Sequence, residues 1–199
     1  MTLRSPATSM RDESGATAVE FAMVAPVLLT MLFGLFDLGH NMYTAQMLQG
    51  AIQKSARDST IESATTSSAQ LDSMVTKAVR AIAPGATLTF SRKSYSNFTS
   101  VARPEDYTDL NASGICDNGE AFEDANGNGT WDKDMGKDGF GGARDAVLYT
   151  VSVSYNRLFP IAAFIPGQSK TFTMATSTVL RNQPYGQQGQ TLPKTGNCV

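Results

Sequence analysis

Basic charge is in short supply in this chain. Sixteen Lys and Arg stand against 18 Asp and Glu over 199 residues, a formal net charge of -2. Proteins that hold nucleic acid carry a basic patch or stripe, so nothing points to that partner. Charged residues of both signs make up only 17% of the chain, and Ser, Thr, Asn, Gln and Gly supply much of the polarity. Cysteine and histidine are nearly missing, with Cys116, Cys198 and His40 the full set. A structural zinc site needs about four clustered ligands, which two distant cysteines and one histidine do not provide. In an oxidising compartment the cysteines would close one disulfide, tying the penultimate residue to an acidic segment; otherwise they stay as two free thiols. Catalytic motifs are absent too. There is no G-x-S-x-G, no Walker loop and no H-E-x-x-H, and Gly139-Phe140-Gly141-Gly142 does not stand between a strand and a helix as a dinucleotide loop would. The acidic residues could supply paired carboxylates for glycoside hydrolysis, but so short a domain offers little scaffold for the pocket. No enzyme is expected.

What the chain does have is one long apolar run. Residues 1–15 are polar and mixed in charge, and Phe21 to Phe36 then contains no charge at all. With Ala16 to Val19 in front, the run reaches about 21 residues, or roughly 30 Å as a helix, enough to cross a bilayer. We place the span at about residues 17–38. Pro26 inside it is tolerated in a membrane helix and permits a kink. Arg4 and Arg11 precede the run, and no Lys or Arg follows until Lys54. The positive-inside rule therefore puts the N-terminus in the cytoplasm and the rest of the chain across the membrane. No small-residue cleavage site of the secretory kind follows Phe36, so the span reads as an anchor.

Glu20 is out of place at the start of that run, because a carboxylate is costly in an apolar medium. It is either an interfacial group in water or part of a motif. Its neighbours are Gly15-Ala16-Thr17-Ala18-Val19-Glu20-Phe21. A Gly followed by four residues, a Glu, an aromatic and an apolar helix resembles the class III leader of type IV pilins. The longer string from Gly15 to Gly39, with Val19-Glu20-Phe21, Pro26, Gly34 and Asp37, is similar to the N-terminus of TadE-like pseudopilins of the tight-adherence (Tad/Flp) pilus system. Leu180-Arg181-Asn182-Gln183-Pro184-Tyr185 resembles the closing segment of the same family. The resemblance implies a leader over 1–15, cut by a prepilin peptidase between Gly15 and Ala16, with Glu20 and Phe21 serving assembly. It implies a minor pilin in the inner membrane, its outer domain periplasmic or in the pilus, with other pilins and the Tad secretion machinery as partners. A major Flp pilin is very short, so a domain of this size fits a minor or tip role. A pseudopilin of type II secretion is a more remote reading.

Beyond the span, Leu38, Met42, Ala45, Leu48, Ile52 and Ala56 recur at helical spacing. One helix over about 16–58 is therefore expected, its second half leaning on an outer domain of residues 59–199. Residues 63–68 look like a linker. Leu71, Met74, Val75, Ala78, Val79 and Ile82 mark the buried face of a second amphipathic helix, stopped by Pro84-Gly85. Strand signals follow at Leu88 and Phe90, at Val147 to Tyr155, and at Phe172 to Leu180. The expected fold is α+β, with a small antiparallel sheet of about three strands and helices on one face. Leu158 to Pro166 is apolar and bounded by prolines, either a buried crossing loop or an exposed contact patch. The tail over 182–199 is rich in Gly, Gln and Pro, and little regular structure is expected there.

Residues 104–145 form a long acidic loop that holds 11 of the 18 acidic residues. Within it, Asp124, Asn126, Asn128 and Gly129, then Thr130 and Asp132, follow the front half of an EF-hand calcium loop. Met135 stands where the bidentate Glu belongs, so Asp134, Asp138, Glu120 or Glu123 would have to complete the shell. The segment is either a weak calcium site or a metal-free Gly/Asp/Asn-rich surface loop. With calcium, a second function becomes available: a signal-anchored, calcium-dependent surface binding module that belongs to no filament.

Overall fold

The computed structural model describes residues 14–59, 68–117, 119–182 and 193–199. Most of the expected leader, most of the 63–68 linker and much of the tail lie outside them. The described chain divides into two compact units, one from Met1–Asn41 with Arg157–Lys170, the other from Met42–Asn156 with Thr171–Val199.

A single helix, α1, runs over Ser14–Ser59 and passes uninterrupted through Pro26. Thr30 Oγ donates to the Pro26 carbonyl at 2.7 Å. In the first unit α1 is long and apolar enough to cross a membrane, and its apolar window buries nothing. Val19, Phe21, Met23, Val27, Met31 and Leu35 all stand exposed. Such a surface is stable in lipid and unfavourable in water. The same unit holds the apolar excursion Leu158–Pro166, with a short turn of helix, here α3, over Ile161–Phe164.

Farther along, the buried stripe of α1 differs from the expected one. Leu38 and Met42 are exposed, whereas Asp37, Asn41 and Thr44 are buried, ahead of Leu48, Ile52, Ser55 and Ala56. Leu48, Ile52 and Ala56 are buried as expected, and only the stripe before them is shifted, because its first turns are polar. Ion pairing and hydrogen bonding, rather than apolar contact, hold the buried face there.

The second unit is built on a four-stranded antiparallel sheet in the order β3-β1-β4-β5. Here β1 is Thr87–Tyr95, β3 Lys137–Asp138, β4 Ala146–Asn156 and β5 Thr171–Arg181. Central strand β4 pairs with β1 through Phe90↔Val151 and with β5 through Val151↔Thr176. Its odd-numbered side chains from Val147 to Tyr155 are buried and the alternate ones are not, as period-two patterning requires. Tyr149, Val151, Val153 and Tyr155 form one cluster with Leu48, Ile52 and Ala56 of α1 and with Val75 and Val79 of α2, Ser68–Arg80. Met74 of α2 is exposed despite its place on the expected face. A polar clasp adds to this packing: Arg92 of β1 pairs with Asp72 of α2, Tyr149 Oη donates to the same carboxylate at 2.9 Å, and the Arg92 guanidinium lies 4.3 Å from the Tyr149 ring centroid.

A two-stranded antiparallel sheet completes the unit. Strand β2, Ala121–Asp124, pairs with β6, Lys194–Asn197. The acidic segment therefore contains two strands, β2 and β3, where the sequence suggested one loop. The end of the tail is ordered for the same reason: its backbone groups find partners on β2.

Candidate functional site

Gly15, Ala16, Glu20 and Phe21 all lie on the first two turns of α1, exposed and within the helix. Among the described residues, nothing beyond its chain neighbours and the helix's own backbone lies within 4 Å of the position of a Gly15 Cβ. The helix thus presents the expected cleavage and assembly residues on an open surface.

At the other end of the apolar run is a site that sequence reasoning missed. Asp37 is 3% exposed and pairs through Oδ2 with the Arg157 guanidinium. Asn41 Nδ2, one helical turn on, donates to the same oxygen at 2.8 Å. Arg157 also donates from Nε to the Ser169 carbonyl at 3.0 Å, and its backbone N–H donates to the Lys170 carbonyl at 2.9 Å. Below this charged neck lie four aromatic rings. Phe159 sits 6.3 Å from Phe33 and 5.8 Å from Phe36 between centroids, and Phe164 is 5.9 Å from Phe33. Asp37 had a place in the family pattern, but only the structure supplies its partner 120 residues away.

The acidic segment is organised around two buried carboxylates that the sequence reading did not single out as its centre. Glu105, 1% exposed, accepts from Ala125 N at 2.9 Å and Asn126 N at 3.4 Å through Oε1, and from Asp132 N at 3.0 Å through Oε2. Its carbonyl accepts from Trp131 Nε1 at 2.8 Å. Glu120, 2% exposed, accepts from Leu110 N at 2.8 Å and Asp117 N at 3.2 Å. Carboxylates in this role satisfy backbone N–H groups that no strand or helix can reach.

The expected calcium ligands are mostly engaged in the same way. Asp124 accepts from Gly127 N at 2.8 Å, Asn128 N at 3.0 Å and Gly129 N at 3.0 Å. Gly129 takes φ +82°, the sharp bend the motif needs. Asn126 Oδ1 accepts from Asn128 N at 3.0 Å, and Asn128 Oδ1 from Thr130 N at 2.7 Å. Asp132 Oδ2 accepts from Asn126 Nδ2 at 2.8 Å and from Asn128 Nδ2. Asp134 faces elsewhere, taking hydrogen bonds from Lys93 Nζ at 2.7 Å and Tyr95 Oη at 2.8 Å. Among the described residues no group of three or more His, Cys, Asp or Glu is placed to hold a metal ion. This geometry gives the calcium expectation no support.

The Asp134 contacts shift their groups. Burial pushes the Asp134 carboxyl up, but bonds from Lys93, Tyr95 and the Gly136 N–H, with the Lys93 charge, together hold it below the usual value. Lys93 is raised, chiefly by its hydrogen bond to Asp134. Tyr95 is pushed up to about 12 by burial and then by the same carboxylate.

Cys116 and Cys198 form a disulfide with Cα atoms 5.5 Å apart, settling the alternative that the sequence left open. Beside it, Cys198 N donates to the Glu120 carbonyl at 2.8 Å, and Gly119 N to the Cys198 carbonyl at 3.0 Å. Gly196 of β6 packs so closely on the buried Phe122 ring that no Cβ fits between them.

One apolar helix with bare sides at its N-terminal end, in a chain that also carries an α+β unit, fits a single-pass membrane anchor. The family model of TadE-like proteins matches residues 15–57, which is nearly all of α1. This is the resemblance read from Gly15 to Gly39, now found over the helix as a whole. No curated protein and no solved structure matches the chain.

Proposed function

We propose that the protein is a minor pilin of a Tad-type pilus, inserted through α1 and assembled through its N-terminal turns. The TadE-like match over residues 15–57 carries this reading. The exposure of Gly15, Ala16, Glu20 and Phe21 on a bare apolar helix supports it. A prepilin peptidase cuts after Gly15 and frees the Ala16 amino group. In a packed filament the Glu20 carboxylate of one subunit pairs with that amino group on the next. Pairing two charges in an apolar setting satisfies both and fixes the axial register. The α+β unit is carried outside the cytoplasm, where a disulfide persists, and the protein itself performs no catalysis.

The deciding measurement is the mature N-terminus of the protein from its native membranes. A chain starting at Ala16, and at Met1 when Gly15 is replaced by Leu, is the expected result. An intact leader in the unaltered protein would leave a plain signal anchor. Glu20→Gln should then lower incorporation into pili without impairing cleavage; unchanged incorporation would remove the pairing step.

A further inference from the structure

We infer that the Leu158–Pro166 excursion is a second membrane contact, seated at interfacial depth in the leaflet that α1 meets near Asp37. The inference rests on the reading of α1 as a membrane anchor, and it assigns a lipid surface to residues outside that helix.

Depth is the first argument. Phe33 lies four residues inside the apolar run from Asp37, about 6 Å along the helix axis. A ring packed against Phe33 shares its depth, and Phe159 stacks there while Phe164 packs at a tilt, its centroid 5.9 Å away. They cannot sit in water while Phe33 sits in lipid. The distribution of polarity agrees. Arg157, Ser169 and Lys170 lie together at the neck with Asp37, whereas 158–166 contains no charge. Long cationic side chains at the boundary with aromatic and aliphatic groups below them match an interfacial profile.

The outward surface is the second argument. Leu158 is 67% exposed and Phe164 47%, with Ile165 beside them. These side chains continue the exposed apolar surface of the anchor in the same compact unit. Lipid already covers that surface in the anchor reading, so the same medium covers its extension. The backbone is prepared for low water activity. Pro160 and Pro166 have no N–H to satisfy, and Ile161, Ala163 and Ile165 donate to Phe159, Pro160 and Ile161 carbonyls at 2.9–3.0 Å.

The test uses the full chain in vesicles of phosphatidylcholine and phosphatidylglycerol, with Trp131→Phe removing the native indole. Tryptophan is placed at Leu158, at Phe164 and, as a control within α1, at Leu29. Leu158→Trp leaves the Phe33 stack untouched and keeps the test decisive if Phe164→Trp misfolds. Lipids brominated near the headgroup should quench both excursion probes by about half, and Leu29→Trp should respond best to bromines deep in the chains. Excursion probes quenched by acrylamide in water, with Leu29→Trp still quenched by lipid, would overturn the inference and leave the anchor standing. Excursion probes shielded from both quenchers would overturn it in favour of a protein cover, such as a second copy. Failure of Leu29→Trp to respond to lipid would remove the anchor reading and the inference with it.

Discussion

Two regions of the second unit hold together by opposite means. The sheet and its helices share an apolar cluster centred on β4, with Val151, Val153, Leu48, Ile52, Val75 and Val79 fully buried. The acidic segment buries Phe122, but its other large buried side chains are Glu105, Glu120 and Asp124. In the first region burial of carbon supplies the stability and backbone bonds run strand to strand. In the second, carboxylates and one disulfide do the work of missing secondary structure. The lesson is that buried charge can be a folding device where irregular backbone must be satisfied, and need not mark a binding site.

Removing the disulfide with Cys116→Ser and Cys198→Ser should have the largest effect, since it closes a loop of sequence separation 82. A loss of about 4 kcal/mol is expected on the chain-entropy account. In urea unfolding of the protein in detergent, Trp131 fluorescence should report it at lower denaturant than far-UV circular dichroism does. Coincident shifts of both signals would show that the two regions unfold as one.

Next come two substitutions that oppose the regions directly. Leu48→Ala should destabilise by about 3 kcal/mol through a core cavity. Glu105→Gln should lose about 2 kcal/mol, because an amide NH₂ is set against backbone N–H groups that a carboxylate accepted. Leu48→Ala should shift the circular dichroism transition most and Glu105→Gln the Trp131 transition most. Reversed probes would break the division.

The smallest effect is electrostatic. Asp134 titrates below its ordinary value of 3.8. Its contribution is therefore complete above about 4 and fades as pH falls through its lower folded value. Lys93 titrates above its ordinary 10.5, so its share is complete below that pH and is lost as pH rises through its higher folded value. Both side chains are about one-third exposed, which keeps the pair near the weak surface scale. Asp134→Asn should flatten the acid limb slightly; an unchanged limb would assign acid sensitivity to other carboxylates.

Much of this architecture was legible, and the reasons are specific. Strand β4 announces itself because Val147 to Tyr155 alternates with smaller and more polar side chains, and α2 because Leu71, Val75 and Val79 repeat every four. The N-terminal motif was legible because its residue types are unusual together: a Glu against an apolar run, five residues after a Gly. The start of the buried stripe on α1 was not, since Asp37, Asn41 and Thr44 look like a solvated face until Arg157 is known. Strand β6 was invisible because Lys194-Thr195-Gly196-Asn197 carries no pattern, and only pairing with β2 makes it a strand. Glu105 and Glu120 escaped for a related reason. Their partners are backbone N–H groups, and these leave no trace in residue identity.

The disulfide has a topological consequence. It makes residues 116–198 a covalent ring that holds every strand except β1 among the described residues. That ring joins α1 through the single stretch of chain before Cys116. A protease cut anywhere inside the ring linearises it and releases nothing. Both new ends stay tethered to the helix, so shedding the outer strands requires either a cut before Cys116 or a reductant as well.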